Sequence, residues 1–217
     1  RMRTYGLSLQ GGGVGILYLT IFAALRLYEL IGAGTAFALL VGLTAFTGWL
    51  AVRQQAQILA MLGLVGGFLA PILTSTGSGN HVTLFSYYLV LNLAIFGIAW
   101  FRAWRQLNLI GFAFTYVIGW VWAAKYYRPE YVWSIVPFVA AHYLLYLAVT
   151  MLFARRRAPR LRDHVDGTLV FATPVITFAM LSGLLSDTEY GLAISAVAAA
   201  AIYLLSSVVL QRTAPPH

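Results

Sequence analysis

Eight apolar segments, each close to the length of a membrane crossing, run through this 217-residue chain with short breaks between them. They occupy 12–31, 34–52, 57–74, 82–101, 107–124, 131–154, 165–185 and 190–210. A helix of about 20 residues rises about 30 Å, which matches the hydrocarbon thickness of a bilayer. Lipid offers no water to satisfy backbone amides, so a crossing segment is either a helix or part of a closed barrel. Barrel strands alternate apolar and polar residues over roughly ten positions, whereas these segments are continuously apolar. The sequence therefore predicts an all-α fold. We read it as a polytopic transmembrane helix bundle of about eight spans, with 1–217 as one transmembrane helical domain.

The breaks carry turn chemistry: Gly32-Ala33-Gly34, Arg128-Pro129, Ala158-Pro159 and Ser186-Asp187-Thr188. The short joins at 32–34 and 186–189 predict antiparallel hairpins. Charge supplies a separate test of the span count, because Lys and Arg concentrate on the cytoplasmic side of a membrane protein. If successive loops alternate sides, one side receives Arg1, Arg3, Arg53, Arg102, Arg105, Arg155, Arg156, Arg157, Arg160, Arg162 and Arg212. The other receives only Lys125 and Arg128, and Arg26 falls within the first segment. That division of 11 against 2 predicts both termini in the cytoplasm. Trp49, Trp100 and Trp104 then fall at inner ends, and Trp120, Trp122 and Trp133 at outer ends, as interfacial belts require. The net charge of +8 is thus a topology signal, and no nucleic-acid partner is expected.

Composition excludes several chemistries. Apolar residues make up 61% and charged residues 9% of the chain, against about 45–50% and about 25% in soluble domains. Cysteine is absent, which removes disulfides and thiolate metal sites. No catalytic, phosphate-loop or metal-ligand signature is present, so no catalytic residue, metal or cofactor is assigned. Gly11-Gly12-Gly13-Val14-Gly15 imitates a phosphate-binding loop, but no strand precedes it. Gly11 and Gly15, like Gly63 and Gly67, are spaced four apart, which suits close helix packing; Gly191, Ser195 and Ala199 repeat the spacing.

Ionisable and polar groups at membrane depth are functional candidates by default. Arg26 and Glu29, three apart, are expected to pair on one helix face near the outer end of the first span. His142 lies near the middle of the sixth, where it either bonds a neighbouring helix or relays protons. Asn92, Tyr116, Thr173 and Thr177 complete a candidate intramembrane polar site. Pro137 and Pro174 each free a carbonyl that something else must satisfy. The loop at 75–81, and Lys125, Tyr126, Tyr127, Arg128 and Glu130, form outer polar clusters suited to an anionic or sugar-bearing envelope molecule or to simple anchoring.

Several strings resemble bacterial predicted membrane proteins grouped as domain-of-unknown-function family 2339. They are SLQGGGVGILYL from Ser8, LVGGFLAPILTSTGSG from Leu64, WFRAWR from Trp100 with LNL from Leu107, and DGTLVF from Asp166 followed by Thr173-Pro174. The resemblance implies a multi-pass protein of the bacterial inner membrane with no assigned activity and no catalytic residues to carry over. It also implies a piece of a longer polytopic chain, in keeping with a start at Arg1. Two function classes follow. One is a transporter or lipid/polymer-handling protein of the envelope, drawn from the mid-depth polar groups and broken helices. The other is a non-catalytic scaffold or assembly subunit, drawn from the Gly/Ala-rich faces. Enzymatic activity is the less favoured reading. Expected partners are membrane lipids, and further transmembrane helices of the same longer chain or of other subunits.

Overall fold

A computed structural model describes residues 2–75, 77, 80–102, 104–156 and 164–213. The described residues are helical, without strands, and form eight α-helices: α1 (Met2–Arg26), α2 (Ala33–Gln54), α3 (Gln57–Leu73), α4 (His81–Phe101), α5 (Arg105–Tyr126), α6 (Val132–Arg156), α7 (His164–Leu184) and α8 (Gly191–Thr213). A 3-10 turn, Pro129–Tyr131, leads into α6. Among the described residues, six stretches are long and apolar enough to cross a membrane, in α1, α2, α4, α5, α6 and α8. Gln57–Leu73 and Leu169–Leu184 are apolar but shorter. Large apolar side chains face outward along these helices, among them Ile16, Leu19, Phe46, Ile194, Val197 and Leu204. A surface this apolar belongs against lipid, because soluble monomers keep such patches small.

The helices gather into two compact units, 1–80 and 81–217. In the first, a tight turn brings α3 back along α2. Gln55 takes a left-handed conformation (φ 55) and donates to the Val52 carbonyl, while Ala56 donates to that of Ala51. The facing stripes recur at helical spacing: Ala36, Leu40, Thr47 and Ala51 on α2, and Leu59, Gly63, Gly67 and Ala70 on α3. Thr44 and Thr47 turn their hydroxyls onto their own helix, bonding the Leu40 and Leu43 carbonyls. Their methyls then fill the glycine notches. A Cβ added at Gly63 meets Thr47 Cγ2 at 2.8 Å, and one at Gly67 meets Thr44 Cγ2 at 2.6 Å. Gly66 admits the Tyr18 ring of α1, whose hydroxyl reaches Thr44 Oγ1 at 2.7 Å and the Gly63 carbonyl at 3.3 Å.

Two expectations for α1 need correction. The glycine-rich stretch is helical throughout, because backbone amides in lipid must bond within their own segment. Only Gly11 is close-packed there, with Leu62 Cδ1 at 3.2 Å; Gly15 faces open space. Arg26 and Glu29 do not pair either. The helix ends at Arg26 and Glu29 adopts φ 50, so the three-residue face relation lapses between them. Arg26 instead donates to the carbonyls of Leu73 (3.3 Å) and Ser75 (2.8 Å), tying the end of α1 to the end of α3.

In the second unit α4, α5, α6 and α7 surround a shared core, and α8 lies against α6 and α7. One cluster joins Phe112 and Tyr116 of α5 to Tyr146, Val149 and Phe153 of α6 and Leu169 of α7. A second joins Phe85, Trp122, Val132, Ile135 and Leu184 nearer the α5–α6 turn.

Candidate functional site

The buried positions of α4 recur every three or four residues, Phe85, Tyr88, Asn92, Ile95 and Ala99, so Asn92 points into the second unit with the apolar stripe. It is 1% exposed. Its Nδ2 donates to Thr115 Oγ1 at 2.7 Å, and the Tyr146 hydroxyl donates to its Oδ1 at 2.6 Å. Thr115 Oγ1 lies 3.4 Å from the Tyr146 oxygen and closes the ring. Gly111 makes this possible, since a Cβ there would meet Ile95 Cδ1 at 2.8 Å and Asn92 Oδ1 at 3.0 Å. Three helices are thus bonded through a fully partnered polar knot.

Tyr116 bonds Thr177 across α5 and α7 at 2.9 Å. Thr173, one turn away, bonds back to the Leu169 carbonyl at 2.5 Å. Pro174 cannot donate to the carbonyl four residues before it, which is that of Val170. Tyr203 of α8 takes this acceptor with its hydroxyl at 3.0 Å.

His142 is 4% exposed. Its Nδ1 lies 2.7 Å from the Phe138 carbonyl, one turn back on its own helix. A carbonyl only accepts, so Nδ1 carries a proton, and in the neutral ring Nε2 is the acceptor. Nε2 has no hydrogen-bond partner among the described residues. The ring therefore ties no second helix through a ring nitrogen.

His142, Thr115 and Tyr116 mark one end of a cavity of about 220 Å³ among α4, α5, α6 and α7. Trp120 and Trp122 line it farther along α5, and Tyr127 just beyond the end of that helix. The wall is overwhelmingly apolar. Among the described residues it includes no Lys, Arg, Asp or Glu.

All five residues of the expected polar site are buried in this unit, but they form four separate arrangements: Asn92 in the knot, Tyr116 with Thr177, and His142 and Thr173 each bonded to its own helix. Sequence reasoning missed Thr115, Tyr146, Gly111 and Tyr203. The spacing of Gly111 and Thr115, four apart on one face, was the available signal for two of them. His81, which the sequence assigns to the outer loop, is the buried first residue of α4, with its Nε2 2.7 Å from Ser134 Oγ and the Trp122 and Tyr131 rings beside it. Of the outer cluster, Lys125 sits 5.3 Å from the Tyr126 ring centre, and exposed Arg128 pairs with Glu130 at 3.6 Å. The basic stretch 157–163 and parts of the loop at 75–81 lie outside the described residues.

Compared with known proteins, residues 1–217 match the family profile described as Predicted membrane protein (DUF2339). No curated protein and no solved structure matches the chain.

Proposed function

Given that the chain belongs to the DUF2339 family of predicted membrane proteins, we propose that it handles lipid, holding an apolar chain between α4, α5, α6 and α7. The observation that carries this reading is the cavity. At about 220 Å³ with an aromatic and aliphatic wall, it exceeds the roughly 150 Å³ of a dry apolar cavity that takes up benzene. A guest there is recognised by shape and apolar contact. The competing scaffold role draws on small-residue faces and has no use for such a space. We place the protein in the bacterial inner membrane, moving or presenting a lipid of the envelope.

Filling the cavity tests the reading. Gly119 lines it, and a Cβ there would meet only the flexible end of Met180 at 3.3 Å. Gly119→Leu is expected to keep its melting temperature while losing about tenfold of the lipid that survives detergent exchange, as read by mass spectrometry. Equal lipid retention in a folded variant would refute lipid handling at this site.

The proposal includes eight spans with both termini in the cytoplasm, supported by the 11-to-2 division of basic residues. The absence of cysteine makes single-cysteine labelling clean. Arg53→Cys should react only from the cytoplasm, and Asn80→Cys and Thr188→Cys only from outside. Labelling of positions 53 and 80 from one side would mean that α3 does not cross. Labelling of positions 80 and 188 from opposite sides would mean the same of α7.

A further inference from the structure

One side of the cavity is not closed by packing. The lining positions on α4 and α6 are buried or half-buried, Phe85, Ile135 and Val139 among them. On α5 and α7 the wall includes Trp120, Ala179 and Gly183, all of them exposed. The space therefore reaches the surface of the second unit sideways, between α5 and α7. The seam between these helices is fastened at two levels. Tyr116 bonds Thr177 at 2.9 Å, and Tyr127, just past α5, donates to the Leu184 carbonyl at 3.4 Å. From Tyr116 to Tyr127 the chain rises about 16 Å. Within that interval α5 contributes Gly119 and Ala123 to the wall and α7 contributes Ala179 and Gly183, none with a side chain able to bridge a gap. Met180 crosses it, with its Cε 3.3 Å from where a Cβ on Gly119 would stand. An unbranched thioether turns about three bonds, so its end swings aside at little cost.

Depth and size narrow what passes through this window. The lining residues lie in the second half of α5, the closing turns of α7 and the first half of α6, so the cavity occupies one half of the membrane thickness. Under the topology above, that is the outer half. A volume of about 220 Å³ is far too small to enclose a whole lipid, since a cavity of roughly 150 Å³ is matched by benzene. It holds a stretch of one chain, and the rest of the molecule stays in the bilayer. Resting on the lipid-handling reading and on that topology, we infer that the cavity is loaded sideways from the outer leaflet. One acyl chain of an outer-leaflet lipid enters between α5 and α7, with Met180 as the movable plug, while the head group remains at the interface.

Trp122 reports on the interior, because it lines the cavity and is 5% exposed. Trp49, Trp100, Trp104, Trp120 and Trp133 are replaced by phenylalanine to leave it as the sole emitter. The protein is placed in vesicles, its orientation is read by labelling of Asn80→Cys, and phosphatidylcholine with brominated chains is exchanged into one leaflet at a time. Bromine in the leaflet on the Asn80 side is expected to quench Trp122, and bromine in the opposite leaflet is not. Gly183→Phe and Ala179→Phe set a ring over the window, so each should slow the onset about tenfold and leave the final extent unchanged. Met180→Ala should speed it. Ala140→Phe, at an exposed α6 position outside the cavity wall, is the control. Should the five-fold variant not fold, the same rates are read in a protein with all its tryptophans, as exchange of retained brominated lipid for plain lipid by mass spectrometry. Rates equal to the control in all three variants would overturn the window. Loss of the final quenching in the phenylalanine variants would overturn it as well, by placing those positions inside the cavity. Quenching from the opposite leaflet alone would overturn the outer-leaflet source. Absence of quenching from either leaflet would overturn the lipid-handling reading itself.

Discussion

Gly67→Ile in α3 is expected to lower the stability of the first unit by about 3 kcal/mol, the upper part of the range for forcing added bulk into a packed seam. The first atom of the new side chain would already lie 2.6 Å from Thr44 Cγ2, and the branched remainder has no space on that face. Thr44 cannot simply turn aside. Its hydroxyl is held by the Leu40 carbonyl at 2.8 Å and lies 2.7 Å from the Tyr18 oxygen, so rotation breaks bonds to two helices. Gly63→Ile should behave alike, against Thr47 Cγ2 at 2.8 Å. The double variant should cost less than the sum, because once α2 and α3 separate at one notch the second is relieved. Thermal unfolding in detergent is the measurement, with Gly42→Ile as control, since a Cβ there meets nothing within 4 Å. Equal melting of Gly67→Ile and the control would remove the notch packing from the account.

Gly111→Val should damage the second unit to a similar degree, about 3–4 kcal/mol, for a compound reason. The added atoms collide with Ile95 and with Asn92 Oδ1, which a Cβ would approach at 2.8 and 3.0 Å. Moving Asn92 breaks its bonds to Thr115 and Tyr146 and leaves a buried amide unsatisfied. The hydrogen bonds alone do not account for so large an effect. Polar contacts between membrane helices average about 0.6 kcal/mol, because the separated helices find other partners. Tyr146→Phe, which removes one hydroxyl without a clash, should therefore cost only about 1 kcal/mol. Gly97→Val, at an α4 glycine where a Cβ meets nothing within 4 Å, should be near neutral. A Gly111→Val variant as mild as Gly97→Val would contradict the close approach of α4 and α5.

The helices were legible because lipid imposes a one-dimensional rule: enough consecutive apolar residues, then a turn. Seven of the eight segments read from the sequence fall within a few residues of the observed helices. The exception is α1, which begins at Met2 about ten residues earlier than hydropathy suggests, because Thr4, Ser8 and Gln10 lower the local average without breaking the helix. Helix pairing was far less legible. In water, polar residues mark the face that stays outside. In lipid the outer face is as apolar as the core, so Leu204 and Leu40 look alike in sequence although one faces outward and the other is buried. Polar residues within apolar runs were the exception, and that is why Asn92, Tyr116, His142, Thr173 and Thr177 could be named. Their partners could not be: Asn92 meets Tyr146 across 54 positions, and that choice is made by packing at Gly111.

The bond between Tyr203 and the Val170 carbonyl also bears on how α8 finds its place. Along an unbroken apolar helix one turn offers much the same surface as the next, and every carbonyl is already engaged. A neighbour rich in alanine, as α8 is between Ala196 and Ala201, could slide by a turn of about 5.4 Å with little change in contact. Pro174 removes that degeneracy. By withholding one amide hydrogen it makes a single carbonyl on α7 unlike the others, and Tyr203 recognises it. The proline acts as an address: it gives up a hydrogen bond within α7 so that α8 has one position to occupy instead of several.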